Sequence, residues 1–312
     1  MLTALGAAVS LVALGAVVFW ALHQEAPTWP DSPYKLAALA LAVVVYLGGC
    51  AARAERWLVL LRHNGARPTR ADAYSLVAVG YLGNNVLPAR AGDALRVVLL
   101  APRAMTDART VIGTIVAERV LDVALLVGLF VVLAYGVLGG IDAPSVGRLL
   151  FAALLVAGLL ALLAGTASVL HRRGRLRRVL DFLAPMAAAT MRMRGRHGAA
   201  LLAWSLLVWG LEWGAWLLTA QAVGLDLAVL DVGYLMGLAA VFVLVPSGPG
   251  YVGTFDAALI FGLHALGRSG TASLSYLLLL RFVIAVPITL LGLVALAARF
   301  GGIARMRAAV RA

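Results

Sequence analysis

Lysine is almost missing from this chain. Of its 26 basic side chains only Lys35 is a lysine. Beside the many alanines, this bias reflects genome composition and carries no mechanism. Charge of either sign is also scarce. Charged residues make up 13% of the 312 positions and hydrophobic residues 63%, whereas soluble domains carry about 25% charge. A large soluble domain is excluded on that ground. There is one cysteine, Cys50, so neither an internal disulfide nor a thiolate metal cluster can form. His23, His63, His171, His197 and His264 have no carboxylate or cysteine at metal-ligand spacing, so no metal site is expected. There is no Walker loop and no G-x-S-x-G. ATP-driven pumping by this chain is unsupported, and the expectation is a protein with no catalytic residue and no cofactor, not an enzyme. The apolar N-terminus, Leu2–Leu22, lacks a basic leader and a following A-x-A site, so it reads as a retained helix.

What is there is apolar length, punctuated by arginine. The formal net charge is +12, but the arginines fall between apolar spans. That pattern fits positive-inside topology and attraction to anionic headgroups. The expected partners are membrane lipids, anionic or phosphate-bearing, and not nucleic acid; a homo-oligomer is compatible with the sequence. Full-length spans are read at Leu2–Leu22, Tyr34–Ala52 with an extension toward Leu61, Thr110–Leu138, Arg148–Leu170, Ala199–Val223 and Thr271–Ala298. Arg53, Arg56, Arg62, Arg67 and Arg70 are assigned to a cytoplasmic loop. The segment His171–Gly198 holds eight arginines and reads as a basic cytoplasmic linker (171–198) lying on the anionic leaflet.

Two stretches break the apolar rhythm. Between Asp72 and Ala101 the run Asn84, Asn85, Pro88, Arg90, Gly92, Asp93 and Arg96 separates arms too short to cross a bilayer. Between Val232 and Leu266 the cluster Pro246, Gly248, Pro249, Gly250 and Gly253, followed by Asp256, does the same. Each reads as a re-entrant helical hairpin, a form tolerated at membrane depth only where protein or water satisfies the broken backbone. The basic residues then place both termini in the cytoplasm, with the first hairpin open inward and the second outward. The fold expected is an all-α polytopic membrane protein, one domain over 1–312, with about six transmembrane helices and two re-entrant hairpins. Half-repeats at 1–140 and 148–298 would be inverted, the arrangement of many secondary transporters.

Ionisable groups inside membrane spans are costly and are usually paired or functional. Two readings stand side by side. In the first, Asp93, Glu118, Asp122, Glu212 and Asp256 neutralise arginines in a structural network. In the second, Arg90, Arg96, Arg119 and Arg281, with Asn84 and Asn85, face a cavity and hold a phosphate headgroup, for which the guanidinium fork is suited. Glu212, isolated among tryptophans, is either a proton-coupling carboxylate or a helix-packing one. The turn residues Pro88, Gly92, Pro246, Gly248, Pro249, Gly250 and Gly253 are expected to shape backbone and packing.

Three of these segments resemble the motifs of a known family. Asn85–Arg96 resembles the "N-x-x-P-x-R-x-G-E-x-x-R" motif of the lysylphosphatidylglycerol synthase transmembrane-region family. Glu118–Asp122 resembles its "E-R-x-x-D", Pro246–Asp256 its "P-x-x-P-G-x-x-G-x-x-E", and Arg281 the arginine of its last helix. Asp93 and Asp256 stand where the family usually has glutamate, which draws each carboxylate back by one methylene. The resemblance implies an inner or plasma membrane flippase, like the part of the longer relatives that moves aminoacylated phosphatidylglycerol between leaflets. Their soluble synthase domain has no counterpart in these 312 residues. The expected function is movement of a phosphate-bearing lipid, a phospholipid or a polyprenyl-phosphate-linked one. The alternative is a membrane glycosyltransferase using a polyprenyl-phosphate sugar.

Overall fold

The structure, a computed structural model, describes residues 2–87, 91–138, 196–243 and 248–302. All regular structure among them is helical: α1 (Leu2–Leu22), α2 (Pro33–His63), α3 (Arg70–Val86), α4 (Ala91–Leu100), α5 (Ala108–Leu138), α6 (Arg196–Val223), α7 (Val229–Val243), a short 3-10 turn (Pro249–Tyr251), α8 (Thr254–Ala265) and α9 (Thr271–Phe300). The span read at Arg148–Leu170, nearly all of the linker 171–198, and Pro88, Arg90 and Pro246 lie outside the described residues.

Local chemistry sets the helix ends. Ser32 caps α2 by accepting from Lys35 N–H at 3.3 Å, and Pro33, which has no N–H to satisfy, follows at the first helical position. Thr69 and Asp72 form a reciprocal capping box at the start of α3. Gly301, at φ 73°, closes α9 in the left-handed conformation that favours glycine.

Three helices, α2, α6 from His197, and α9, are long and apolar enough to cross a membrane by length and composition. With a helix of 31 residues at α5, the chain is a multi-pass membrane protein. In lipid the apolar effect does not drive helices together, so small residues that let backbones approach carry much of the packing. A Cβ on Gly49 of α2 would lie 3.6 Å from Leu211 Cβ of α6, where those two helices run side by side. A Cβ on Gly292 of α9 would collide with the carbonyl of Ala78 in α3.

Both stretches interrupt a helix, α3–α4 at the first and α7–α8 at the second. α3 and α4 fold back on each other, and a Cβ on Gly83 would sit 2.5 Å from Gly92 Cα. Gly92 therefore serves close packing inside α4 and does not form the turn. The described turn before α8 has positive φ values. Gly250 and Gly253 have φ of 62° and 90°, and between them Tyr251 is also left-handed at 55°. A non-glycine residue in that region stores strain, so something must hold this turn.

One boundary departs from expectation. Arg53, Arg56 and Arg62 are not in a loop; α2 continues through them to His63, and Arg70 opens α3, which leaves Arg67 in the connection. Ala54, Trp57, Leu58 and Leu61 recur at helical spacing on its buried face. That stripe holds α2 together past the apolar run and carries Arg53 and Arg56 into the protein.

Candidate functional site: a cavity walled by alternating charges

A cavity of about 610 Å³ lies at the centre of the described helices, bounded by α2, α3, α4, α5, α6, α7, α8, α9 and the 3-10 turn. That volume is in the range of small-molecule sites. Along one wall runs a continuous chain of ion pairs. Arg119 meets Asp93 at 3.1 Å, Asp93 meets Arg96 at 3.5 Å, and Arg96 meets Glu118 at 2.7 Å. Glu118 meets Arg56 at 3.7 Å, Arg56 meets Asp122 at 2.6 Å, and Asp122 meets Arg53 at 3.8 Å. Arg53 then pairs with Glu212. The sign alternates at every step, and four helices, α2, α4, α5 and α6, contribute.

Burial explains why the charges pair. Arg56 is 1% exposed, and an unpaired charge in so dry a place costs several kcal/mol. Its Nη1 and Nη2 donate to the two oxygens of Asp122 at 2.6 and 3.0 Å, and Nη1 also reaches Ser205 Oγ at 3.0 Å. Trp209 Nε1 donates to the same Asp122 at 3.1 Å. The Arg96 guanidinium lies 4.0 Å above Trp57, and Arg53 lies 4.7 Å above Trp209, so aromatic faces take part of the desolvated charge.

The chain is not uniform. Its interior is dry, but at one end the Arg119 side chain is 41% exposed and Asp93 25%. Arg119 reaches Asp93 through Nη2 alone, at 3.1 and 3.3 Å; its buried Nε, like those of Arg56 and Arg96, has no partner among the described residues. A guanidinium held by one corner can turn its fork toward an anion without leaving its carboxylate.

Across the cavity Arg281 is fully engaged. Nε donates to Asp256 at 2.6 Å, Nη1 to the carbonyl of Gly250 at 2.6 Å, and Nη2 to the carbonyl of Tyr251 at 3.1 Å. Asp256 in turn accepts from Gly253 N–H at 2.8 Å. Two side chains, Arg281 and Asp256, thus hold the left-handed turn through four hydrogen bonds, and Phe255 stacks 4.5 Å from the guanidinium. Arg281 lines the cavity, but its donors point into the turn, so it acts as a clamp on backbone. The two asparagines are likewise occupied. Asn84 Oδ1 accepts from Gly92 N–H at 3.1 Å, which closes the first hairpin, and Asn85 Nδ2 donates to Thr289 Oγ1 of α9 at 2.8 Å.

The turns meet. A Cβ on Gly250 would lie 3.6 Å from the Asn85 carbonyl. One helix, α9, grips both, Asn85 through Thr289 and Gly250 through Arg281. Of the residues singled out from sequence, Asn84, Asn85, Asp93, Arg96, Glu118, Arg119, Asp122, Glu212, Gly250 and Arg281 all line this cavity. Glu212 is not isolated; its partner is Arg53. Gly92, Gly253 and Asp256 support the wall from behind, while Gly248 and Pro249 lead into the second turn. Arg53 and Arg56 were missed, and the helical stripe running to Leu61 was the signal that could have found them.

A second cluster sits at the outer base of the first hairpin. Asp72 meets Arg299 at 3.0 Å and Arg103 at 3.4 Å, and Arg103 also donates to the carbonyl of Arg299 at 2.7 Å. Burial opposes the charged form of Asp72, but hydrogen bonds from Thr69, with Arg299 and Arg103 beside it, hold its carboxyl below the ordinary value. This latch ties α3, the α4–α5 connection and the end of α9 together.

A family described as the lysylphosphatidylglycerol synthase TM region matches residues 3–292. A stretch of 108 residues is 32% identical to a protein named Glycosyltransferase AglD from Haloferax volcanii. That stretch is 34% of this chain and 17% of the other, so the chain spans less than a fifth of that relative. No solved structure matches.

Proposed function

Because the chain belongs to the lysylphosphatidylglycerol synthase transmembrane-region family, we propose that it moves a phosphate-bearing lipid between the leaflets of the cell membrane, with the headgroup in the central cavity and Arg119 as its first contact. The observation that carries this reading is the contrast within one ion-pair chain. All eight members line the cavity, but six of them are 18% exposed or less, Asp93 is 25% exposed and Arg119, at 41%, is the most open. Arginine keeps its charge in such a place, and its planar fork matches phosphate oxygens. The indole and phenol faces of Trp209, Trp216, Tyr46 and Tyr81 complete a lining suited to the glycerol or sugar next to the phosphate.

The transport step follows from an inverted repeat. Three observations support it. Arg119 pairs with Asp93, 26 residues earlier, and Arg281 with Asp256, 25 residues earlier. The first hairpin's leading arm, α3, packs on α9, and the second's, α7, packs on α5. Finally, α2 packs on α6, which holds the equivalent position in the other half. Each half thus lends its hairpin to the last helix of the other. Rocking of such halves around a shared site would expose the cavity to one leaflet and then the other. Both hairpins are then re-entrant, the termini are cytoplasmic and the protein needs no catalytic residue or cofactor.

Reconstitution in proteoliposomes with fluorescent phospholipids tests the reading. Wild type should move at least one phosphate-bearing lipid, and Arg119→Gln should lose most of that rate with an unchanged melting temperature. A folded Arg119→Gln protein that moves every lipid at the wild-type rate contradicts the assigned contact. The match to a protein named as a glycosyltransferase favours a second reading, transfer of sugar from a polyprenyl-phosphate donor. Product formation from a labelled donor by pure protein would establish it in place of the first.

A further inference from the structure

The ion-pair chain has two unlike ends. Four arginines alternate with four carboxylates from Arg119 to Glu212, and every inner member stands between two charges of opposite sign. At the ends, among the described residues, Arg119 has one carboxylate, Asp93, and Glu212 has one cation, Arg53. The pair across the cavity, Arg281–Asp256, is neutral in itself. The wall therefore carries no net charge among the described residues. An anion placed on Arg119 changes that balance. It adds a negative member to the positive end, and the chain then begins and ends on a negative charge, with one in excess. Excess charge in a low-dielectric setting is costly, and a carboxylate answers it by taking a proton.

We propose that Glu212 is a coupling-proton site: it takes up one proton as an anionic headgroup reaches Arg119, so that lipid and proton cross together without net charge. The proposal rests on the headgroup reading above and adds the ion that accompanies the lipid. The chain's own geometry selects Glu212. Neutralising Asp93, Glu118 or Asp122 would leave two arginines short of a carboxylate, and for Asp93 one of the two is Arg119 itself. Neutralising Glu212 affects Arg53 alone, which keeps Asp122 at 3.8 Å and the face of Trp209 at 4.7 Å. Glu212 also lines the cavity and is 18% exposed, against 5% for Glu118 and 8% for Asp122, so a proton reaches it from the same space as the anion. The proton leaves water in the cavity and binds a carboxylate oxygen of Glu212, which releases Arg53; it returns to water when the anion departs. The neighbours are few. Arg53, Cys50 and Tyr46 of α2 and Tyr81 of α3 are within electrostatic reach of Glu212. Asp122 of α5 shares Arg53 with it. From α9 Arg281 faces the cavity but is engaged by Asp256, and α7 presents only Met236, Ala239 and Ala240. No histidine lines the cavity among the described residues.

The test is proton uptake on binding. The full chain, in weakly buffered detergent solution with a pH-indicator dye, receives dioctanoyl phosphatidylglycerol, whose phosphodiester does not titrate near neutrality. Wild type should take up about one proton per lipid bound, and its affinity should tighten about tenfold for each unit of acidification, because the complex holds one proton more than the free protein. Glu212→Gln should bind without uptake and with an affinity that is flat in pH. Glu212→Asp should keep the uptake but lose it at a lower pH than wild type, since aspartate ordinarily titrates below glutamate. A glutamate that only packs α6 on α2 would give a different result: Glu212→Gln would melt lower at every pH and keep the wild-type slope of affinity on pH. That slope, binding without uptake by wild type, uptake that survives in Glu212→Gln, or an unmoved pH in Glu212→Asp each overturns the proposal and leaves the headgroup reading standing. If wild type binds neither this lipid nor farnesyl phosphate at any pH, the headgroup reading falls and the coupling falls with it.

Discussion

Two arginine–aspartate pairs face each other across the cavity, and they differ in what is left over. Arg119–Asp93 and Arg281–Asp256 have nearly the same sequence separation, 26 and 25 residues, and each joins a hairpin to the helix that follows it. Arg281 directs three nitrogens at one carboxylate and two carbonyls, and Asp256 is 8% exposed. Arg119 directs one nitrogen at a carboxylate that is 25% exposed, and is itself 41% exposed. The same motif thus serves two ends. On one side the guanidinium holds a strained backbone turn; on the other it keeps donor capacity at a cavity. Backbone geometry makes the difference. The second turn carries consecutive left-handed residues whose carbonyls converge on Arg281, whereas the α3–α4 arms close through Asn84 and the Gly83–Gly92 contact.

That comparison can be broken by mutation. The largest effect is expected at Arg281. Arg281→Ala leaves Asp256 buried without its partner and the turn unsupported, a loss of about 3–5 kcal/mol by analogy with other buried pairs. A fall in melting temperature and in monodisperse yield from detergent would record it. Arg56→Ala should be nearly as damaging, since it takes the two-pronged partner from Asp122, leaving it Trp209 and a longer pairing with Arg53, in the driest part of the ion-pair chain. Next comes Gly83→Ala, which forces α3 from α4 and should cost about 1–3 kcal/mol as overpacking, read from the same melt. The smallest stability effect is expected at the outer latch. Arg103 and Arg299 are 38% and 34% exposed, so Asp72→Asn should cost only about 0.2–1 kcal/mol. Because the Asp72 pKa is depressed in the folded protein, its contribution is present above the ordinary carboxylate value of about 3.9 and is lost as pH falls through the lower folded value. The wild-type advantage over Asp72→Asn should therefore shrink on acidification below that value.

Much of this was legible in sequence, and the remainder had a physical reason to be hidden. Hydropathy is local, so α1 and the start of α9 were placed to the residue at Leu2–Leu22 and Thr271. Glycine and proline are also local signals, so both broken stretches were found. The carboxylates Asp93, Glu118, Asp122, Glu212 and Asp256 stood out because charge is rare in an apolar run. What sequence hid were the partners. Arg53 meets Glu212 across 159 residues, and Arg56 meets Asp122 across 66. Both arginines sit where an apolar span gives way to basic residues, a pattern that reads as a loop under the positive-inside rule. Arg281 misled in another way. Its acceptors are mostly backbone carbonyls, which no residue type announces, so it was grouped with Arg119 as a headgroup contact.

The most direct test of the contrast is native mass spectrometry of lipids retained by the purified protein, comparing wild type with Arg119→Gln at matched melting temperature. Wild type should carry one phosphate-bearing lipid per chain, and Arg119→Gln should lose it. Equal retention by a folded Arg119→Gln protein would contradict the claim that Arg119, alone among the cavity's described arginines, is held ready for a headgroup.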